Sequence, residues 1–472
     1  MILPDPFPLS DIARIIATGI ILVGLAQNLV YMVQLGLAGW VMRRNPPITR
    51  SAPLWRRYAD QAPPVALLSP AFNEEKSIVE STRSMLALQY PSFEVIVVND
   101  GSSDATLQTL IEAFGLQASH RAYNAALVHA PIRAIYTSPL FPKLVVIDKE
   151  NGGKADALNA GINVSRAPVF CSMDADSILE SDALLRAMRP FVEDPGRVIA
   201  VGGTVRLANG CSIDSGRVQH IGLPRNWLAR FQCVEYLRAF LMARLAWSEI
   251  GALTIISGAF GLFAREPVMQ AGGYARNSVG EDMELVVRLH RTQRDAGRDY
   301  RIAYVPEPVC WTEAPESLRD LARQRSRWHR GSLETFMRHK DMFMRPKYGR
   351  VGSIGFLNIL LTDVLGPVTE VLGLLLIPLF WATGLLSADY LLAFLALSFT
   401  FGIALSVCAI ALEEIQLRRY PRARDLLRLT LAAILENLGY RQLNNLWRMR
   451  GWFEFATGRH VWGTLSRKGF SA

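Results

Sequence analysis

The chain has 472 residues, half of them hydrophobic, with a formal net charge of +9 and five cysteines. That length holds two or three domains, and so high an apolar share argues against a wholly soluble protein and for membrane segments. Positive charge suits nucleic acid, anionic lipid or an acidic substrate, but no basic tract is interleaved with aromatics and no zinc-type spacing occurs, so no nucleic-acid partner is expected. Cys171, Cys211, Cys233, Cys310 and Cys408 show no CxxC spacing and read as buried thiols in a reducing compartment.

Ile15 to Met42 is uncharged over 28 residues, interrupted only by Gln27, Asn28 and Gln34. As a helix it spans about 42 Å, enough to cross a hydrocarbon core of about 30 Å with tilt. Arg14 precedes it, whereas Arg43, Arg44, Arg50, Arg56 and Arg57 follow. The positive-inside rule then leaves the N-terminus outside and the following chain in the cytoplasm.

Val65–Ser69 reads as a buried strand ended by Pro70, the next stretch has helical spacing, and Phe93–Val98 reads as a second strand running into "NDGSSD". Strand, helix and strand within about thirty residues predict a right-handed parallel crossover, whose ligands gather at the carboxyl ends of the strands. Asn73, Glu74 and Asp100 emerge there. "ENGGKADALNAG" follows the strand Leu144–Ile147, and "VFCSMDADS" runs a strand into Asp174 and Asp176. Residues two apart in a strand share a face, so these two carboxylates address one crevice, and a divalent cation would relieve their repulsion. Blander readings stand beside these: a turn and helix cap for "DGSSD", a solvated Lys154, a cap or calcium site for the aspartate pair.

"SGAFGLF" contains Gly258, Ala259 and Gly261, small enough for a flat ligand or for close packing of elements. "GEDMELVVRLH" places Glu281 and Asp282 at a helix start, where the dipole favours carboxylates whether or not one serves as a base. Ten basic residues lie between Arg319 and Arg350, among them the "QRSRW" of Gln324–Trp328, which a helix against lipid headgroups would also display. Val371–Leu386 and Tyr390–Leu412 then predict a membrane hairpin. Three crossings are expected, with 351–361 and the chain after Leu426 at the interface; a fourth crossing after Leu426 is the alternative.

In this order "PAFNEE", "VVNDGSSD", "GGKADALNAG", "DAD", "SGAFGLF", "GED" and "QRSRW" resemble the membrane-embedded glycosyltransferases of family 2, of the processive β-glycosyltransferase type that includes cellulose, chitin, hyaluronan and poly-N-acetylglucosamine synthases. The resemblance covers residues 64 to about 331. It implies an α/β GT-A (Rossmann-like) cytoplasmic domain with transmembrane and interfacial helices, divided as 1–45, 60–318, 319–365, 366–412 and 413–472. It also implies a UDP-sugar donor, Mn²⁺ or Mg²⁺, inversion at the anomeric carbon, a saccharide or lipid acceptor, and a bacterial-type inner membrane. A homo-oligomer or an export partner would complete a polymer channel. Carried over residue by residue, Phe72, Asn73, Glu74 and Asp100 hold the uridine, Lys154 and Asp174 meet the diphosphate, and Asp176 ligates the metal. Asp282 is the base; Gln324 and Arg327 contact the donor; Trp328, Glu281, Gly258 and Phe260 face the acceptor. One position departs from the pattern: Asn99 stands where these synthases commonly have an aspartate.

Overall fold

The computed structural model describes residues 9–48, 51–214, 217–417 and 422–458. Arg50, which entered the topology reading above, lies outside the described residues.

The strands are β1 (Val65–Ala71), β2 (Phe93–Asp100), β3 (Gln117–Ala118), β4 (Ile132–Thr137), β5 (Leu144–Lys149), β6 (Val169–Met173), β7 (Ile178–Leu179), β8 (Val198–Leu207), β9 (Ser212–Asp214), β10 (Arg217–His220), β11 (Phe260–Ala264) and β12 (Arg301–Thr312). Among the described residues, ten of them form one sheet in the order β3-β4-β5-β2-β1-β6-β11-β8-β12-β7. β5, β2, β1 and β6 are mutually parallel. The chain steps outward from β1 to β2 and β5, then returns to place β6 on the other side of β1, which creates a topological switch point between β1 and β6.

β1 runs through Pro70 to Ala71, beyond the end its proline suggests. Pairing with β6 stops at Leu68–Ser172, while pairing with β2 continues to Ala71–Asn99. Pro70 therefore needs no N–H on the β6 side, the edge-like position that proline tolerates. The central strands are buried on both faces, which explains why β5 reads as a continuous apolar run rather than an alternating one.

Among the described residues, three helices are long and apolar enough to cross a membrane: Leu9–Arg44, Val351–Ala382 and Ala388–Gln416. The segment 351–361, expected at the interface, is continuous with the rest of the second of these helices, and no charged residue or proline interrupts the chain from Val351 until Asp363. Gln27, Asn28 and Gln34, the polar interruptions of the first helix, each reach another helix. Gln27 Nε2 donates to Leu361 O at 2.5 Å, Asn28 Nδ2 to Leu397 O at 3.3 Å, and Gln34 Nε2 to Asn358 Oδ1 at 3.3 Å. Such bonds hold membrane helices together where no hydrophobic drive acts between them.

Two helices bring the site together. Glu281–Asp295 carries Asp282 in its first turn, and Leu318–Arg338 carries Gln324–Trp328. They meet at two glycines: a Cβ on Gly331 would stand 2.8 Å from the Gly280 Cα, and one on Gly280 would stand 2.9 Å from the Gly331 Cα. Gly331→Ala must push these helices apart, a strain of about 1–3 kcal/mol. Thermal unfolding in detergent should show that loss, whereas Gly36→Ala, with nothing within 4 Å of an added Cβ, should leave the transition in place.

Candidate active site

At the switch point the loops after β1 and β2 are laced together. Asn73 adopts a left-handed backbone (φ 57°), which its short amide side chain tolerates. Its Oδ1 accepts from the Ser103 N–H at 2.8 Å, and its own N–H donates to Ser102 Oγ at 3.0 Å. The Glu74 N–H donates to Thr106 Oγ1 at 2.9 Å, and Ser77 Oγ donates to Glu74 Oε2 at 2.7 Å. Phe72 is left on the surface, 49% exposed.

Asp100 does not stand open as the uridine assignment expected. It is buried, and Lys149 Nζ (2.5 Å), the Gly152 N–H (3.1 Å), the Gly153 N–H (2.7 Å) and Asn151 Nδ2 (3.3 Å) donate to its carboxylate. Lys149 is fully buried and also pairs with Asp156 Oδ1 at 2.7 Å, while Arg276 holds the other oxygen of Asp156. A carboxylate this well supplied from inside fixes the turn that delivers Lys154; it has little left to offer a ligand. The sequence reading missed Lys149 because its partners lie 49 and 7 residues away on different elements.

Lys154 opens the helix Lys154–Val164 and projects into the cleft. Its ammonium pairs with Asp174, lies 3.6 Å from Glu281 Oε1 and reaches the Gly258 carbonyl at 3.5 Å. Burial alone would lower the Lys154 pKa, but Asp174 and Glu281 outweigh it and hold it above the ordinary value. Burial pushes the Glu281 carboxyl upward, with Lys154 opposing and Asp282 adding to the rise. Asp282 Oδ2 accepts from the Gly258 N–H at 2.9 Å and Oδ1 from the Met283 N–H at 2.8 Å. The small residue at 258 therefore serves Asp282 directly: a Cβ there would meet Lys154 Nζ at 2.8 Å. Phe260 is fully buried in β11 and packs in the core, so it faces no acceptor, contrary to expectation.

Gln324, Arg327 and Trp328 line the same cavity as Lys154, Asp174, Asp176, Gly258, Glu281 and Asp282. Phe72, Asn73, Glu74 and Asp100 are outside it. Arg325 turns away to Glu235 at 2.7 Å, and its guanidinium covers the Trp328 ring at 4.4 Å from the centroid. Glu235 also accepts from Tyr440 at 3.0 Å and Asn444 at 3.3 Å, tying the QRSRW helix to the helix Arg441–Ala456. The cavity, of about 830 Å³, is also lined by Gln34, Asn358, Asp363 and Glu370 of two membrane-length helices and by Asn445 and Arg448 of the helix Arg441–Ala456. There Arg448 pairs with Asp363 at 2.8 Å and Arg441 with Glu370 at 3.3 Å.

Asp174 and Asp176 present two carboxylates to the cleft. Among the described residues no group of three His, Cys, Asp or Glu could hold an ion by itself. Oxygen-preferring cations of the Mg²⁺ and Mn²⁺ kind commonly take one or two carboxylates and complete their shell with substrate phosphates and water. The donor set fits such a shared ion.

A mixed sheet of this order, with acidic residues at its switch point and helices that can cross a membrane, defines a GT-A glycosyltransferase fold joined to a membrane region. Comparison with known proteins agrees. The profile of "Glycosyl transferase family group 2" matches residues 169–412, and that of "Glycosyl transferase family 2" matches residues 67–239. The chain belongs to glycosyl transferase family group 2. It is 30% identical over 289 residues to the poly-beta-1,6-N-acetyl-D-glucosamine synthase of Staphylococcus aureus (strain COL), covering 61% of this chain and 59% of that protein. With the corresponding synthase of Staphylococcus epidermidis it shares 28% identity over 296 residues, covering 62% of this chain and 60% of that one. The chain thus spans about three-fifths of the curated relatives it matches. In fold it is similar to the mannosyltransferase PcManGT of Pyrobaculum calidifontis, solved with GDP-Man and Mn²⁺, at TM-score 0.50 and 17% identity, covering 93% of this chain and 100% of that one.

Two predictions follow from the buried charges. Lys149→Met leaves Asp100 and Asp156 in the interior without their shared cation, which should cost about 3–5 kcal/mol of unfolding free energy. His290, on the Asp282 helix, is buried against the Leu253 carbonyl (2.8 Å) and Tyr300 (2.7 Å), and burial lowers its pKa from 6.5 to about 4. Between those values the unfolded chain binds a proton that the native one does not. The His290 contribution is therefore complete above pH 6.5 and lost as pH falls to about 4, roughly 3 kcal/mol in all. Unfolding titrations should show that slope, and His290→Asn should flatten it.

Proposed function

We propose that the protein transfers a sugar from a UDP-sugar donor to the end of a growing β-linked saccharide, with inversion, at the cytoplasmic face of a bacterial-type inner membrane. The observation that carries this reading is the single cavity running from Asp174 and Asp282, past Trp328, to amides and ion pairs between the membrane-length helices. A lipid acceptor would lay alkyl chains against charged and amide groups, an unfavourable contact; a saccharide offers them hydroxyls. This favours the polymer over the glycolipid alternative, and the sequence similarity to poly-beta-1,6-N-acetyl-D-glucosamine synthases supports it.

In this mechanism the uridine lies along the β1 and β2 loops beside Phe72, with Asp100 supporting the turn beneath. Lys154, Gln324 and Arg327 bind the diphosphate, where cationic donors make charge-assisted hydrogen bonds. Asp174 and Asp176 would hold Mn²⁺ or Mg²⁺, an ion that would supply positive charge beside the leaving diphosphate. The acceptor sugar rests on the exposed part of the Trp328 ring. Asp282, held by two backbone N–H groups, takes the proton of the acceptor hydroxyl as its oxygen bonds to the anomeric carbon and the bond to UDP breaks on the opposite face. Passage of the product between the helices couples synthesis to export, alone or with a second copy or partner chain.

Purified protein in nanodiscs, given each UDP-sugar with Mn²⁺ or Mg²⁺, should release UDP from one donor and form a high-molecular-weight product. Asp282→Asn should keep UDP affinity and lose transfer by ~10²–10⁴-fold. Chelation should stop the wild type until the ion is restored. A lipid-sized product would overturn the polymer reading, and silence from every donor the transferase reading.

A further inference from the structure

The helical stretch from Trp227 to Glu249 carries no motif singled out above. It is π-helical over Leu237–Arg244, a local widening that recurs at functional sites. Phe240, Arg244 and Trp247, four and three residues apart, follow one face, and all three line the cavity containing Asp282. The Arg244 guanidinium lies over the Phe240 ring at 3.7 Å from its centroid and is hydrogen-bonded to the Tyr304 hydroxyl. Among the described residues no carboxylate pairs with it, and its Nη1 is buried without an acceptor. Trp247 is 6% exposed, and its Nε1 is likewise buried without one. Burial pulls the Arg244 pKa below its ordinary value, and Asp282 is the carboxylate that opposes this most. A buried donor left unmatched is destabilising, the more so when charged. Two of them on one wall, facing the side of the cleft where the base stands, make a surface that offers hydrogens and takes none.

We propose that Arg244 and Trp247 form the subsite for the terminal sugar of the acceptor, donating to oxygens of its ring substituents while its reactive hydroxyl turns to Asp282. The chemistry suits a sugar rich in hydroxyl or amide-carbonyl oxygens and excludes an alkyl chain. The inference rests on the transferase reading and adds two acceptor-binding residues to it. They differ from Lys154, Gln324 and Arg327, which serve the donor.

The test is direct binding to the full-length protein in nanodiscs. UDP with Mn²⁺ probes the donor side; tetrasaccharides of β-1,6-linked N-acetylglucosamine and of β-linked glucose probe the acceptor side. Trp247→Phe keeps the ring and removes only the N–H; Arg244→Gln keeps a donor and removes the charge. Each variant should bind UDP as wild type does and bind the tetrasaccharide about tenfold more weakly. Saccharide binding unchanged in both variants, or UDP binding weakened instead, overturns the subsite while leaving the transferase reading intact. A wild type that binds UDP but neither tetrasaccharide also overturns the subsite. A wild type that binds no UDP overturns the transferase reading and the subsite with it.

Discussion

The site depends on one ammonium group. Asp174 arrives from the end of β6 and Glu281 and Asp282 from the start of a helix more than 100 residues later, and three carboxylates in one cleft repel each other. Lys154, paired with Asp174 and 3.6 Å from Glu281, lets them coexist. Everything that fixes Lys154 therefore acts on the site: the glycine turn before it, the Asp100 carboxylate that accepts from that turn's N–H groups, and the buried Lys149 that balances Asp100 and Asp156. A diphosphate entering the cleft would offer Lys154 a second anionic partner and free Asp174 for an ion shared with the donor.

The same tying-together extends to the membrane. Arg325 of QRSRW pairs with Glu235, which also holds Tyr440 and Asn444; Arg206 pairs with Glu413, and Arg238 with Glu436. These buried or half-buried pairs are weak as stabilisers in themselves, since desolvation offsets most of the attraction, but losing one partner strands the other. Their effect is registry. Arg206–Glu413 joins β8 to the helix Ala388–Gln416, while the other two pairs join the Trp227–Glu249 stretch to the QRSRW helix and to the helical segment at Glu436.

Much of this was legible in the sequence. The parallel crossover and Glu281 and Asp282 at a helix start are local patterns that the structure reproduces, and two long apolar helices occupy the hairpin region; Asp174 and Asp176, read as sharing a strand face, instead follow the end of β6 at Met173. What stayed hidden depends on partners far along the chain. Asp100 looked like a ligand contact because its loop reaches the switch point, yet Lys149, 49 residues on, turns it inward. Phe260 sat in a glycine-rich motif that suggested an open surface, but β11 pairs with β6 and β8 and buries it. Arg244 and Trp247 belong to no motif, and only the fold shows that Arg244 Nη1 and Trp247 Nε1 are buried without an acceptor. The apolar run after Val351 could not be divided by composition into interfacial and crossing parts; the helix is continuous.

The central claim is that one passage leads from Asp282 to the polar seam of the membrane helices. Cryo-electron microscopy of the protein in nanodiscs, frozen after incubation with the proposed UDP-sugar donor, tests it most directly. The account predicts saccharide density that begins beside Trp328 and continues between Gln34, Asn358 and Asn445. Density that leaves the cleft toward the cytoplasm, or a product lying on the lipid-facing side of the helices, would contradict it.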